Sequence, residues 1–193
     1  MNFKNMTLDE LRTDLIVVAE KGYPFFISGT IYWFVMGGLS FFIENEKLLA
    51  LCFLLATGSI FPLAIAISRL LKINILSNNP LGVLGGIIGG IQAFYIPVWV
   101  VIYLEKPELI PMAIGILASS HFLPYAWIYQ SKIYLFLTIL MALTAFIFGY
   151  VFIEQGFSLL PFLLAALYLL TALALKLETI TYIKMREHKG LSN

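Results

Sequence analysis

Polar residues are so sparse along this chain that the apolar stretches between them define its organisation. Six predominantly apolar runs follow one another at 23–43, 48–71, 82–104, 109–129, 133–153 and 159–176. Coiled as helices they each reach roughly 30 Å at 1.5 Å per residue, the thickness of a bilayer's hydrocarbon core. Barrel strands would interrupt such runs with a polar residue at every second position, so helices are the spanning form that fits. The pattern predicts an all-α fold, a polytopic membrane bundle of six transmembrane helices.

Ahead of the first run the periodicity changes. Thr7-Leu8-Asp9-Glu10 fits a capping box, in which the threonine and glutamate satisfy each other's free backbone amides. Leu8, Leu11, Leu15 and Val18 then share one helical face, with Arg12 and Asp14 elsewhere, and Gly22 supplies a stop. This predicts a short cytoplasmic amphipathic helix over 7–21, resting at headgroup level, against the end of the bundle, or on a partner. The expected organisation is residues 1–22 as that segment, 23–177 as the six-helix domain and 178–193 as a basic cytoplasmic tail continuing the last helix.

Composition agrees: 61% of residues are hydrophobic and 12% charged, against roughly a quarter charged in a soluble domain. A net charge of +1 gives no reason to expect nucleic acid. Cys52 is the single cysteine, which excludes an intrachain disulfide and reads as apolar filler. Lys4, Asp9, Glu10, Arg12, Asp14 and Glu20 leave no apolar leader core before the first run, so that run is expected to direct insertion. With the N-terminus in the cytoplasm, ten of the twelve basic residues fall inside and only Lys47 and Lys106 outside. Both ends are then cytoplasmic, and the outer turns at 44–47, 105–108 and 154–158 are too short for an external domain.

Chemistry is confined to the centres of the spans. Pro62, Pro97 and Pro124 each lie just past the middle of a run, where proline kinks a helix and frees the carbonyl four residues back, here of Gly58, Ala93 and Ser120. Polar side chains gather at the same depth: Trp33 in the first span, Ser59 in the second, Gln92 and Tyr95 in the third, and Ser120, His121 and Tyr125 in the fourth. His121 and Tyr125, four apart, share a face. The fifth and sixth spans carry few polar groups and are expected to form an apolar wall or a subunit contact. Ser59 to Ala64 and Ser120 to Ala126 share a Ser, Phe, Pro, Ala order, a weak repeat. In the third span Gly82, Gly86 and Gly90 form one small-residue row and Gly85 with Gly89 another, a surface for close helix approach within the chain, with a second copy or with a partner protein.

A histidine at mid-membrane depth is costly and is usually paired and used. Three readings of the polar layer follow: hydrogen-bonded glue between helices, a pocket for a small molecule, or a catalytic site. The spans hold no Asp or Glu in their interiors, which removes the usual proton-relay carboxylates. Only His121 and His188 are present, too few for a histidine metal centre. Neighbouring helix residues such as Ser120 and His121 point about 100° apart and make no dyad. No cofactor or metal is expected. The favoured reading is a pocket among the first four spans, formed by His121, Ser120, Tyr125, Gln92, Tyr95, Ser59 and Trp33, that binds or passes a small neutral or amphipathic molecule. The alternatives are a non-transporting regulatory or interaction subunit and, last, an intramembrane enzyme using His121.

Leu11-Arg12-Thr13-Asp14, Asn79-Pro80-Leu81-Gly82 and the stretch from His121 to Trp127, of HFxPYAW type, resemble a group of uncharacterised bacterial integral membrane proteins of about this length. That resemblance implies a bacterial plasma-membrane location and no particular activity. Translocator-protein-like tryptophan-rich membrane proteins differ in span number and tryptophan spacing, so their ligands do not carry over.

Overall fold

The computed structural model of the chain describes residues 3–188 and 190; Lys189 and 191–193, part of the basic tail, lie outside the described residues. Helix α1 (Leu8–Ala19) opens with the expected capping box. Thr7 N–H and Oγ1 both donate to Glu10 Oε2, at 2.7 and 2.9 Å, and these bonds hold the Glu10 carboxyl below its ordinary range. The buried face of α1 differs from the one the leucine spacing suggests. Arg12, Leu15, Ile16 and Ala19 are buried while Leu8 is exposed, because the helix lies against the bundle and presents Arg12 to the ring of Trp127, 4.3 Å away. Glu20, Lys21 and Gly22 then turn the chain into the bundle with φ of 46°, 54° and 68°. Glycine takes that left-handed conformation without a steric penalty; the glutamate and lysine do not.

Helix α2 (Tyr23–Leu39) runs through the centre, flanked by the longest helix, α10 (Leu160–His188), and by the second span. Its contact with α10 is close because Gly29 admits the ring of Tyr168: a Cβ there would sit 2.2 Å from two ring carbons. Phe26, Phe122 and Tyr168 pack at 5.2 to 5.9 Å between centroids and knit the first, fourth and sixth spans together. Helix α9 (Lys132–Phe146) packs on α7 (Ile110–Ser120), with Gly115 against Ala145. Helix α10 is thus central and α9 a core partner of α7, where the sequence suggested an apolar wall or a subunit contact. Each offers apolar surface to the most buried helices, and that burial outweighs its lack of polar side chains.

All three mid-span prolines interrupt their helices. The second span divides into α3 (Glu46–Thr57) and α4 (Ile60–Leu70), bent by 46° just before Pro62. The third divides into α5 (Pro80–Gly90) and α6 (Ile96–Glu105) through a 3-10 stretch, Ile91–Tyr95, ahead of Pro97. The fourth divides into α7 and α8 (Leu123–Ile128) around His121 and Phe122, before Pro124. The two stretches of similar order in the second and fourth spans are therefore both helix breaks.

Among the described residues four helical stretches are long and apolar enough to cross a membrane, Pro80–Glu105, Pro107–Ile128, Lys132–Val151 and Leu160–His188, and the bent pair makes a fifth if counted as one span. The first expected span is shorter than its sequence suggests: α2 has 17 residues, about 26 Å of helix, before Ser40 begins a turn. The described residues contain no strand. Phe94 (80% exposed), Phe42 (84%) and Leu55 (73%) lie on an outer surface that only an apolar solvent would favour.

Candidate functional site

Five of the seven residues expected at the site meet where the third and fourth spans break. The 3-10 stretch brings Gln92 and Tyr95 towards α7, and the break after Ser120 presents His121 to them. Gln92 Nε2 and His121 Nε2 lie 3.2 Å apart, so with the amide donating, Nε2 of His121 accepts and its Nδ1 carries the ring proton. Tyr95 and Ser120 share a hydroxyl hydrogen bond of 3.0 Å, and Ser120 Oγ also lies 2.8 Å from the Leu117 carbonyl. Tyr125 donates to the Gly85 carbonyl at 2.6 Å, and the absence of a side chain at Gly85 lets the ring approach to 3.2 Å from a notional Cβ. The Gly85 and Gly89 row is thus used inside the chain, against Tyr125. Gly86 and Gly90 face open space.

Trp33 and Ser59 have other partners. Trp33 is 1% exposed and packs edge-on to Tyr32 and Phe53, at 5.0 and 6.2 Å. Ser59, in the break between α3 and α4, is exposed and donates to the Ala56 carbonyl at the end of α3 at 2.7 Å. Of the carbonyls that proline was expected to free, that of Ala93 accepts the Ile96 N–H, a tighter 3-10 bond replacing the lost one. Helix α2 supplies further satisfaction: Ser28 Oγ donates to the Ile60 carbonyl at 2.6 Å and Tyr32 OH to that of Phe53 at 2.9 Å.

The cluster is paired without being sealed. Gln92, Tyr95 and His121 are half-buried, and Ser120, Pro97 and Pro124 are exposed. Two buried polar atoms beside it have no hydrogen-bond partner among the described residues, Nδ1 of His121 and Nε1 of Trp99; the Trp99 ring meets Tyr95 edge-on at 6.3 Å. The Ala118 carbonyl faces the imidazole one turn back, outside hydrogen-bonding geometry. Trp99 was not legible as a site residue, since a tryptophan near a span end reads as an interfacial anchor. The bend at Gly58 and Ser59 shapes the surroundings: α3 packs on α6 and α7, whereas the extensive packing of α4 is on α2 alone. Helices α3 and α6 are held together, with Lys47 Nζ 5.6 Å from the Tyr103 ring, whereas α4 and α5, the other halves of spans two and three, lack comparable packing on each other. No three His, Cys, Asp or Glu side chains converge among the described residues.

A second convergence lies at the end of the bundle where α1 docks. Asn79, fully buried, caps α5 by accepting the Leu81 N–H at 2.9 Å, and its Nδ2 donates to the Leu11 carbonyl and to Asp14 Oδ2, both at 2.8 Å. With Arg12 over Trp127, the three sequence segments that carry the family resemblance are brought into one junction.

Apolar helices with an apolar exterior and their few polar groups facing one another define a helical membrane protein. Within that class, a family model matches residues 8–178, and the chain belongs to DUF7010, a family of unknown function. No curated protein and no solved structure matches it.

Proposed function

We propose that this protein binds a small neutral amphipathic molecule in the seam between spans two, three and four, as a six-span protein with both ends in the cytoplasm of a bacterial cell. The observation that carries the reading is the half-exposed set of Gln92, Tyr95, Ser120 and His121 at the centres of their spans, where lipid tails cannot satisfy polar groups. The amide, imidazole and hydroxyls offer both donors and acceptors, and no charged side chain lies in the interiors of these spans, which favours an uncharged head such as a hydroxyl or amide. The diverging inner halves of spans two and three give such a molecule an approach from the inner leaflet. Lys47 and Tyr103 close the outer side, so the geometry favours lateral binding over a straight pore.

The test is photolabelling of the purified protein in lipid nanodiscs with a long-chain alcohol carrying a diazirine. Adducts should concentrate on peptides around Ser59, Gln92 and Ser120, and fall about tenfold in Gln92→Leu combined with His121→Phe, the equivalent of one or two hydrogen bonds. Adducts spread evenly over the lipid-facing helices, unchanged in the variant, would refute it.

A second reading, an interaction subunit, is favoured by the third span. Only 6% of its apolar window is buried, against 44%, 28% and 44% for the other three single-helix spans, and its Gly86 and Gly90 meet nothing. Crosslinking from Gly86→Cys to a second copy or to another membrane protein, with no photolabelled seam, would favour this reading.

A further inference from the structure

At the cytoplasmic end of the bundle, away from the seam, a cleft of about 440 Å³ is lined by Lys21, Tyr129, Gln130, Glu178 and Tyr182, with Ile16 as part of its apolar wall. Its backbone is unusual. The non-glycine residues with positive φ among those described are Glu20, Lys21, Lys72 and Gln130; two of the four line this cleft and Glu20 adjoins it. Left-handed conformations at such residues persist where the surroundings over-determine them, and they concentrate at functional sites.

Lys21 is fixed from both ends. Its carbonyl accepts the Tyr134 hydroxyl at 2.5 Å, and its Nζ lies 3.0 Å from Glu178 Oε2, with the side chain 3% exposed. Ser131 Oγ donates to the same Oε2 at 2.6 Å. Both partners converge on one oxygen, so Oε1 is left to take a further donor, and the Glu178 side chain is 34% exposed. The other groups of the cleft are also short of donors. Tyr129 OH makes no hydrogen bond with the described residues, and Gln130 is exposed. Thr181 gives its proton to the Leu177 carbonyl at 2.9 Å and keeps its lone pairs. Nearby cations have partners of their own: Lys176 Nζ sits 5.8 Å from the Tyr23 ring, and Arg186 donates to Thr13 at 2.7 Å.

A cleft with a carboxylate edge, a phenol, an amide and a hydroxyl, whose one lysine is already spent, is built to accept N–H donors. We propose that it is a binding site for a primary ammonium group, with Glu178 Oε1 as the charged acceptor and Tyr129 OH as the second. Lys21 and Ser131 hold the carboxylate in place. The cleft lies where the first, fourth and sixth spans leave their apolar stretches, so the ammonium comes either from an ethanolamine lipid headgroup or from a soluble amine.

Full-length protein in phosphatidylcholine nanodiscs, whose headgroup has no N–H, is compared by thermal unfolding with the same protein in phosphatidylethanolamine nanodiscs. In a second arm it is titrated in phosphatidylcholine with ethanolamine, choline serving as control. A higher unfolding temperature in the ethanolamine lipid identifies a headgroup ligand; saturable stabilisation by free ethanolamine and none by choline identifies a soluble one. In either case Glu178→Gln should weaken the response about tenfold or more. Tyr129→Phe should weaken it several-fold while leaving the unfolding temperature in phosphatidylcholine unchanged, because that hydroxyl holds nothing in the fold. This second variant decides the matter if Glu178→Gln does not fold. No distinction between ethanolamine and choline in either arm, or a distinction that survives in Tyr129→Phe at full strength, overturns the proposal.

Discussion

Replacing Asn79 tests the junction between α1 and α5, since one side chain there performs two separable tasks. As the N-cap of α5 it accepts the Leu81 N–H, and as a donor it ties α1 to α5 through the Leu11 carbonyl and Asp14. Asn79→Ala removes both. The cap is worth about 1 kcal/mol, and two buried hydrogen bonds, one to a carboxylate, add about 2. The total of about 3 kcal/mol corresponds to a fall of roughly 6–12 °C in unfolding temperature for a chain of this size. Asn79→Asp separates the tasks. Aspartate caps a helix as well as asparagine does, yet it has no donor to offer and brings a second carboxylate to a site 2.8 Å from Asp14 Oδ2. The aspartate variant should therefore be at least as unstable as the alanine one, and adding Asp14→Asn, which reverses donor and acceptor, should restore most of the loss. Thermal unfolding in nanodiscs measures stability, and trypsin cleavage after Lys21, only 3% exposed while α1 is docked, measures detachment of the helix. Wild-type stability and protease resistance in Asn79→Asp alone would refute the reasoning, because the residue would then be only a cap.

Two further predictions address topology and packing. Cysteines placed at Asn45, Lys106 and Gln155 should react with an impermeant thiol reagent added to intact cells, while one at Asn78 should not; reversed labelling would overturn the orientation read from the basic residues. Gly29→Ala should destabilise by about 1–3 kcal/mol, because its Cβ would stand 2.2 Å from the Tyr168 ring, whereas Gly86→Ala, facing open space, should leave the unfolding temperature of the monomer within a degree or two.

The sequence by itself determined the class, because the length and spacing of apolar runs are local properties that the bilayer's thickness reads directly. It also determined the Thr7 capping box, the helix breaks before Pro62, Pro97 and Pro124, and the position of Gln92, Tyr95, Ser120 and His121 at those breaks, since proline geometry acts within a few residues. Which helices sit inside was settled by packing. A glycine admits a ring only where another helix delivers one, so Gly29 with Tyr168 made the sixth span central, and Gly85 with Tyr125 chose which glycine row would be covered. Trp33 and Ser59 share the depth of the polar cluster or lie near it but not its azimuth, and one chain's periodicity cannot fix the rotation of one helix against another. The same holds for pairs far apart in sequence. Lys21 with Glu178, Arg12 with Trp127 and Asn79 with Asp14 join residues that read as unrelated polar positions until the fold sets each beside its partner, because a buried charge or amide is tolerated only where such a partner arrives.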